Sequence, residues 1–173
     1  MPSPASSAFP LFRKAQPSDL PALMQVFASA RRYMKATGNP TQWGDSYPSE
    51  SLVAGDIASG YCHVLESVNG EVVGTFCLVK GDDPTYSQIQ GAWLNSAPYA
   101  TLHRLASSGK VRGIADACLQ WCCRHTDNLR IDTHADNRVM QAWLDRRGFI
   151  FCGIIRVADG TPRRAYQLFI KSK

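Results

Sequence analysis

The chain has 173 residues, 45% of them hydrophobic, with six cysteines and a formal net charge of +5. That length suffices for one domain with a proper core, and no apolar run reaches the roughly 18 residues of a membrane helix, so the expectation is a soluble, cytoplasmic protein without a membrane partner. The bases are spread over Arg31/Arg32, Lys110/Arg112, Arg146/Arg147 and Arg163/Arg164, with no zinc-finger or RNA-recognition signature, which favours a small polyanionic ligand over nucleic acid.

Residues 1–10 (MPSPASSAFP) lack the basic start and long apolar run of a secretory signal and read as a flexible tail, leaving 11–173 as a single domain. Leu11 to Ala15 reads as a short strand, and Gln16-Pro17-Ser18-Asp19 as a helix start. Leu20, Leu23, Met24, Phe27 and Ala30 then mark the apolar face of a helix running to about Thr37, where Gly38-Asn39-Pro40 stops it. The loop from Thr41 to Pro48 is rich in aromatics. Trp43 and Tyr47 either pin that loop to the core or line an acceptor pocket, since loops on a rigid scaffold commonly carry specificity.

A second helix is expected from Ser49 to Ser59 with Leu52, Val53 and Ile57 inward. Tyr61 to Ser67 and Glu71 to Lys80 read as strands joined by Val68-Asn69-Gly70, a strong hairpin signal. Gly81-Asp-Asp-Pro84 turns the chain. Thr85 to Tyr99 follows, with a short strand around Ile89 to Leu94, and its large residues Trp93 and Tyr99 serve packing or the substrate.

The stretch from Thr101 to His125 organises the rest. A strand carrying Leu102, Leu105 and Ala106 runs into a loop with Gly109, Lys110, Arg112 and Gly113, and then into a helix whose stripe is Ile114, Ala117, Cys118, Trp121 and Cys122. The first turn of a helix has N–H groups without intrahelical partners and a partial positive charge, so a basic, glycine-bearing turn there suits an anion. Asn128 to Thr133 alternates Leu129, Ile131 and Thr133 on one face, and a strand on each side of a helix predicts a parallel, right-handed crossover. Asp136-Asn137 caps a further helix to about Arg147 with Val139, Met140, Trp143 and Leu144 inward, and Gly148 ends it. Phe149 to Val157 and Arg163 to Lys171 are the last two strands. The cysteines show no C-x-x-C spacing, so buried reduced thiols and no metal are expected.

Lys110-Val111-Arg112-Gly113-Ile114-Ala115 resembles the acyl-CoA pyrophosphate loop of the GCN5-related N-acetyltransferase (GNAT) family, with Lys110 where that pattern has Gln or Arg. The element order and the segments Thr133 to Asn137 and Arg147-Gly148-Phe149 resemble the same family in register. So does the pattern Gln42-Trp43, Tyr47-Pro48, His103-Arg104-Leu105-Ala106, Asp132-Thr133-His134 and Ala165-Tyr166, which looks like a bacterial branch of it. The resemblance implies an α/β (α+β) acyl-CoA N-acyltransferase fold: a mixed, mostly antiparallel twisted sheet with a central splayed parallel strand pair and flanking helices. It implies acetyl transfer from acetyl-CoA to a primary amine of a small molecule or peptide in a ternary complex. Leu105, Ala106 and Ser107 would bond the pantetheine arm, Lys110, Val111, Arg112, Gly113, Ile114 and Ala115 would take the pyrophosphate, and Asn137 would lie near the thioester. A homodimer is left open.

The pattern breaks at Leu144, where the family often has a Tyr that protonates the CoA thiolate. Either another group donates that proton, or the thiolate, with an ordinary thiol pKa of about 8.5, leaves without much help. An acceptor amine near pKa 8 costs about 1 to 1.5 kcal/mol to deprotonate at pH 7, and a lysine amine about 4 to 5, so a base is of value. His103, expected on one strand face with Leu105 and Ser107, and His134, after the second strand of the pair, are the candidates; each has a plain alternative as a core or loop histidine. Asp132 is expected to bond locally. The rival to an enzyme is a non-catalytic acyl-CoA binding or sensing module.

Overall fold

The computed structural model describes residues 11–170; the expected tail at 1–10 and the Lys171 end of the expected last strand lie outside them. β1 (Leu11–Lys14) is tied to the start of α1 (Leu20–Ala36) by Arg13, whose guanidinium donates to both Asp19 oxygens at 2.7 and 2.9 Å. Leu23, Val26 and Phe27 are the buried residues of α1, the i, i+3, i+4 spacing of one helix face. Ser49 caps α2 (Glu50–Ala58) by accepting the Leu52 N–H at 3.2 Å. β2 (Cys62–Glu66) and β3 (Val72–Lys80) form the expected hairpin.

β4 (Gln90–Gly91) is two residues long and pairs with β7 (Ile150–Arg156). Between them in the chain come β5 (Ala100–Ser107), α3 (Ile114–Cys123), β6 (Asn128–Thr133) and α4 (Arg138–Arg146), and β8 (Pro162–Phe169) closes the order. The eight strands make one sheet in the order β1-β2-β3-β5-β6-β8-β7-β4. Its α/β architecture, with a parallel pair in an otherwise antiparallel sheet, is the expected fold class. Among the described residues no helix is long and apolar enough to cross a membrane.

Alternation in the strands gives the sheet two apolar faces. α3 and α4 cover Leu65, Phe76, Leu102, Leu129, Ile131 and Tyr166, and α1 and α2 cover Cys62, Val64, Cys77 and Ala106. A third cluster, Tyr86, Tyr99, Ile155 and Ala165, comes from the segment before β5 and from the last two strands. Val139 departs from expectation: it is 42% exposed, because α4 packs through Met140, Trp143 and Leu144 and Val139 lies about 90° round the helix from the centre of that face.

Two features of β5 position everything that follows. The parallel pair shares register only at Ala100↔Leu129 and Thr101↔Arg130. Beyond those residues β5 stays with β3 and β6 with β8, so a gap opens between them and the facing strand edges have no ladder partner. The second feature is a bulge. Cys77 pairs with His103 and Thr75 with Ala106, leaving Arg104 and Leu105 opposite Phe76, and Arg104 takes φ 51. The extra residue breaks the alternation that would have put His103 and Leu105 on one face. Leu105 packs with the α3 side, whereas Cys77, the cross-strand partner of His103, belongs to the α1–α2 side.

Candidate active site

A cavity of about 540 Å³ lies over the gap. Its wall takes Gln42, Trp43 and Tyr47 from the loop after α1, His103, Arg104 and Leu105 from β5, Asp132 and Thr133 from β6, Asn137 and Met140 at the start of α4, and Arg163 from β8. The bulge makes His103 and Arg104 usable together. Arg104 donates to both Asp56 oxygens of α2 at 2.7 and 2.8 Å and to the Tyr47 hydroxyl at 3.2 Å. Such a bidentate, largely buried pair fixes that side of the wall.

His103 Nε2 lies 2.9 Å from Asp83 Oδ2. Asp83 also accepts the Thr85 N–H at 2.9 Å and its hydroxyl at 2.7 Å, while its own N–H donates to Tyr99 Oη at 2.8 Å. The bond to His103, with those from Thr85, holds the Asp83 carboxyl at about 2. Asp132 does not bond locally. It accepts from the Tyr86 hydroxyl at 2.7 Å, 46 residues away, and burial pushes its carboxyl up from the ordinary carboxylate value.

His134 stands elsewhere. Its Nδ1 accepts the Asp136 N–H at 3.0 Å in the turn before α4, and the residue is not part of the cavity wall. Trp93 and Tyr99 are likewise away from the wall. They hold the Arg130 guanidinium between them at 4.1 and 3.8 Å from their ring centres, a cation–π sandwich. Trp43 and Tyr47 do line the cavity, and Trp43 also packs edge-on to Phe27 of α1 with ring centres 5.8 Å apart, so pinning and lining are combined in one residue.

The loop after β5 ends in Gly113, the N-cap of α3, at φ 82, a conformation that carries a strain for any L side chain. The Gly109 and Lys110 amides are spent on the Ser107 and Ser108 hydroxyls at 3.1 and 3.3 Å. Among the described residues the amides from Val111 to Asp116 donate to no protein atom. Lys110 is ion-paired with Glu71, both ends well exposed, a contact worth little that an anion can displace. Arg112 is exposed beside it. Asn137 caps α4 by accepting the Met140 N–H at 3.1 Å and donates through Nδ2 to Gln42 Oε1, also at 3.1 Å.

Gln42 and Asp83 were not among the sequence candidates for the site. Asp83 sits in a Gly-Asp-Asp-Pro run whose composition signals only a turn, and Gln42 had no signal beyond its place in the family-like pattern.

No protein-family model and no curated protein matches the chain. Solved structures do. A GNAT-family acetyltransferase from Streptococcus agalactiae is 30% identical, with 95% of this chain and 98% of that one covered and a TM-score of 0.84. A GNAT-family acetyltransferase from Listeria monocytogenes is 22% identical over 92% of this chain and 94% of its own, with a TM-score of 0.68. A GNAT-superfamily phosphinothricin acetyltransferase from Sinorhizobium meliloti, solved in complex with AcCoA, shares the fold at 15% identity, 92% and 88% coverage and a TM-score of 0.62. With the parted strand pair, the glycine-capped loop and a 30% identical relative matched end to end, the chain belongs to the GNAT family of acetyltransferases.

Proposed function

We propose that this chain transfers an acetyl group from acetyl-CoA to a primary amine of a small molecule or peptide, by direct attack in a ternary complex. One observation carries the reading: the strand pair that parts after two residue pairs has at the end of one strand a helix start whose amides, Val111 to Asp116, have no protein acceptor among the described residues. Those amides with Lys110 and Arg112 fit a diphosphate, and the unpaired edge of β5 at Leu105, Ala106 and Ser107 fits the amide-bearing pantetheine arm. Bound acetyl-CoA supplies an activated acyl group, a thioester.

The chain's own residues supply the rest. His103 Nε2–H donates to Asp83, which leaves Nδ1 as the lone pair that takes the proton of the attacking amine, and the Asp83 carboxylate stabilises the imidazolium formed. We prefer His103 to His134 as the base because the Nδ1 of His134 already accepts a backbone N–H. Trp43 and Tyr47, both in the cavity wall, would flank the acceptor's path. The departing thiolate has no partner in Leu144, which is fully buried, and at a pKa of about 8.5 it can leave unprotonated.

Leu144 is also the observation that favours the second reading, an acyl-CoA binding or sensing module without turnover. Thiol release from acetyl-CoA with a panel of amines, including amino acids, polyamines and peptide N-termini, alongside calorimetric titration of acetyl-CoA, separates the two. Turnover with at least one amine is expected. Binding without turnover on any of them supports the sensing module, and no binding overturns both.

A further inference from the structure

The loop between α1 and α2 crosses the gap, and one of its residues is tied to three separate places. Gln42 Oε1 accepts from Asn39 Nδ2 at 2.8 Å, just past α1, and from Asn137 Nδ2 at 3.1 Å, at the cap of α4; it lies 3.4 Å from Thr133 Oγ1 at the end of β6. The network decides which way the carboxamide faces. Asn137 Oδ1 is occupied by the Met140 N–H at 3.1 Å, so Asn137 presents only its NH₂ to Gln42, and the Gln42 atom that meets it is the oxygen. The other end, Nε2, has two N–H donors and no protein acceptor among the described residues. It is not sealed in either: among the described residues the buried side-chain atoms without a partner are Asn39 Oδ1, Thr101 Oγ1 and Arg130 Nε. Gln42 stands in the cavity wall, so its NH₂ opens on the cavity.

A carboxamide N–H is a neutral donor, suited to a carbonyl oxygen and more so to one gaining negative charge. The neighbouring groups do other things. Arg104 is engaged by Asp56 and Tyr47, Arg163 donates to the Thr161 hydroxyl at 3.0 Å and the Pro162 carbonyl at 2.9 Å, and His103 and Asp132 are suited to an amine. Resting on the acetyl-transfer reading above, we propose that Gln42 Nε2 donates to the thioester carbonyl oxygen of the acyl donor. As the amine nitrogen bonds to the carbonyl carbon, the C=O pair moves onto that oxygen and the Gln42 N–H holds the charge. The C=O then re-forms, the C–S bond breaks with its pair on sulfur, and the amine proton goes to His103. The triple bracket on Oε1 makes the donor preorganised, since it need not turn to find the charge.

Two substitutions separate donor from bracket. Gln42→Glu keeps an acceptor oxygen for Asn39, Asn137 and Thr133 but removes the NH₂; Gln42→Met removes both. Infrared spectra of bound acetyl-CoA labelled with ¹³C at the carbonyl should show a stretch at lower frequency than free acetyl-CoA in the wild type, and a shift largely lost in both variants. In Gln42→Glu, kcat should fall on the order of 10²-fold, the loss typical of one such donor, with the amine KM unchanged. An unchanged carbonyl stretch and kcat in Gln42→Glu, with Gln42→Met impaired, would reduce Gln42 to a bracket and overturn the proposal. A raised amine KM at constant kcat would also overturn it, by moving the donor onto the acceptor. The spectra distinguish this proposal from the reading beneath it: a shifted carbonyl in a wild type that acetylates no amine sinks the enzyme and leaves the donor standing, whereas turnover with an unshifted carbonyl sinks the donor alone.

Discussion

A histidine becomes a base at a chosen nitrogen only when something occupies the other. At His103 that something is Asp83, whose carboxyl, held at about 2 by the His103 bond and by Thr85, is ionised throughout the working range. Asp83→Asn should therefore do more than remove a charge. An amide can donate to Nε2, which puts the ring proton on Nδ1 and removes the lone pair proposed to take the amine proton, a tautomer error worth up to about 10⁴ in kcat where it has been isolated in other enzymes. Losing the anion also removes the charge that stabilises the imidazolium, so Asp83→Asn should lose kcat with the amine KM little changed, and His103→Ala should lose as much. A wild-type kcat in Asp83→Asn would take the proton transfer away from this pair. The sequence offered His103 and His134 on equal terms. What separates them, an aspartate 20 residues before one and a turn amide two residues after the other, is a matter of tertiary contact and turn geometry that periodicity does not encode.

At the scale of elements, the turn from Ser107 into α3 has the form that the proposed diphosphate site needs. Two of its amides are closed by Ser107 and Ser108, so it has a fixed course, and the next six are left open. Gly113→Glu puts a like charge where the diphosphate is proposed, in a backbone at φ 82. Gly113→Ala carries the same backbone strain, about 1 to 3 kcal/mol, without the charge. Both variants should lose that much stability in urea, and only Gly113→Glu should lose CoA affinity by on the order of 10-fold or more in a titration. Equal affinity for the two would place the diphosphate elsewhere. Most elements were legible because their periods are clean: the stripe of α3, the Asn-Gly hairpin between β2 and β3, and the alternation of β6. The bulge in β5 was not. One extra residue changes no composition, and Arg104 at positive φ has none of the glycine that usually marks such a place, yet it sends His103 and Leu105 to opposite faces.

For the molecule as a whole, acid stability is set by a few groups whose pulls differ in sign. Asp83, at about 2 against an ordinary 3.8, binds its proton less readily folded than unfolded. It contributes about 2 kcal/mol that is fully present above the unfolded value and lost as pH falls through the folded one. Asp19, lowered by the Arg13 bond, acts with the same sign. Asp132, raised by burial, acts oppositely: the native state holds its proton at a pH where the unfolded chain has released it, so acidification there favours folding. His63 works at higher pH. It is buried between Phe76 and Trp121, with ring centres at 5.1 and 4.5 Å, and burial first, then Lys14 and His125, lower it from 6.5. The unfolded chain therefore takes up this proton first, and stability drops as pH falls below about 6.5. Because Asp132 offsets part of that drop, the wild-type curve alone does not identify the cause, whereas a difference between curves does. His63→Phe keeps an aromatic in the stack and removes the titration. Its urea midpoint should fall less than the wild type's as pH drops from 7 through about 6.5. Curves that stay parallel over the whole range would clear His63 and leave the early loss of stability to another group.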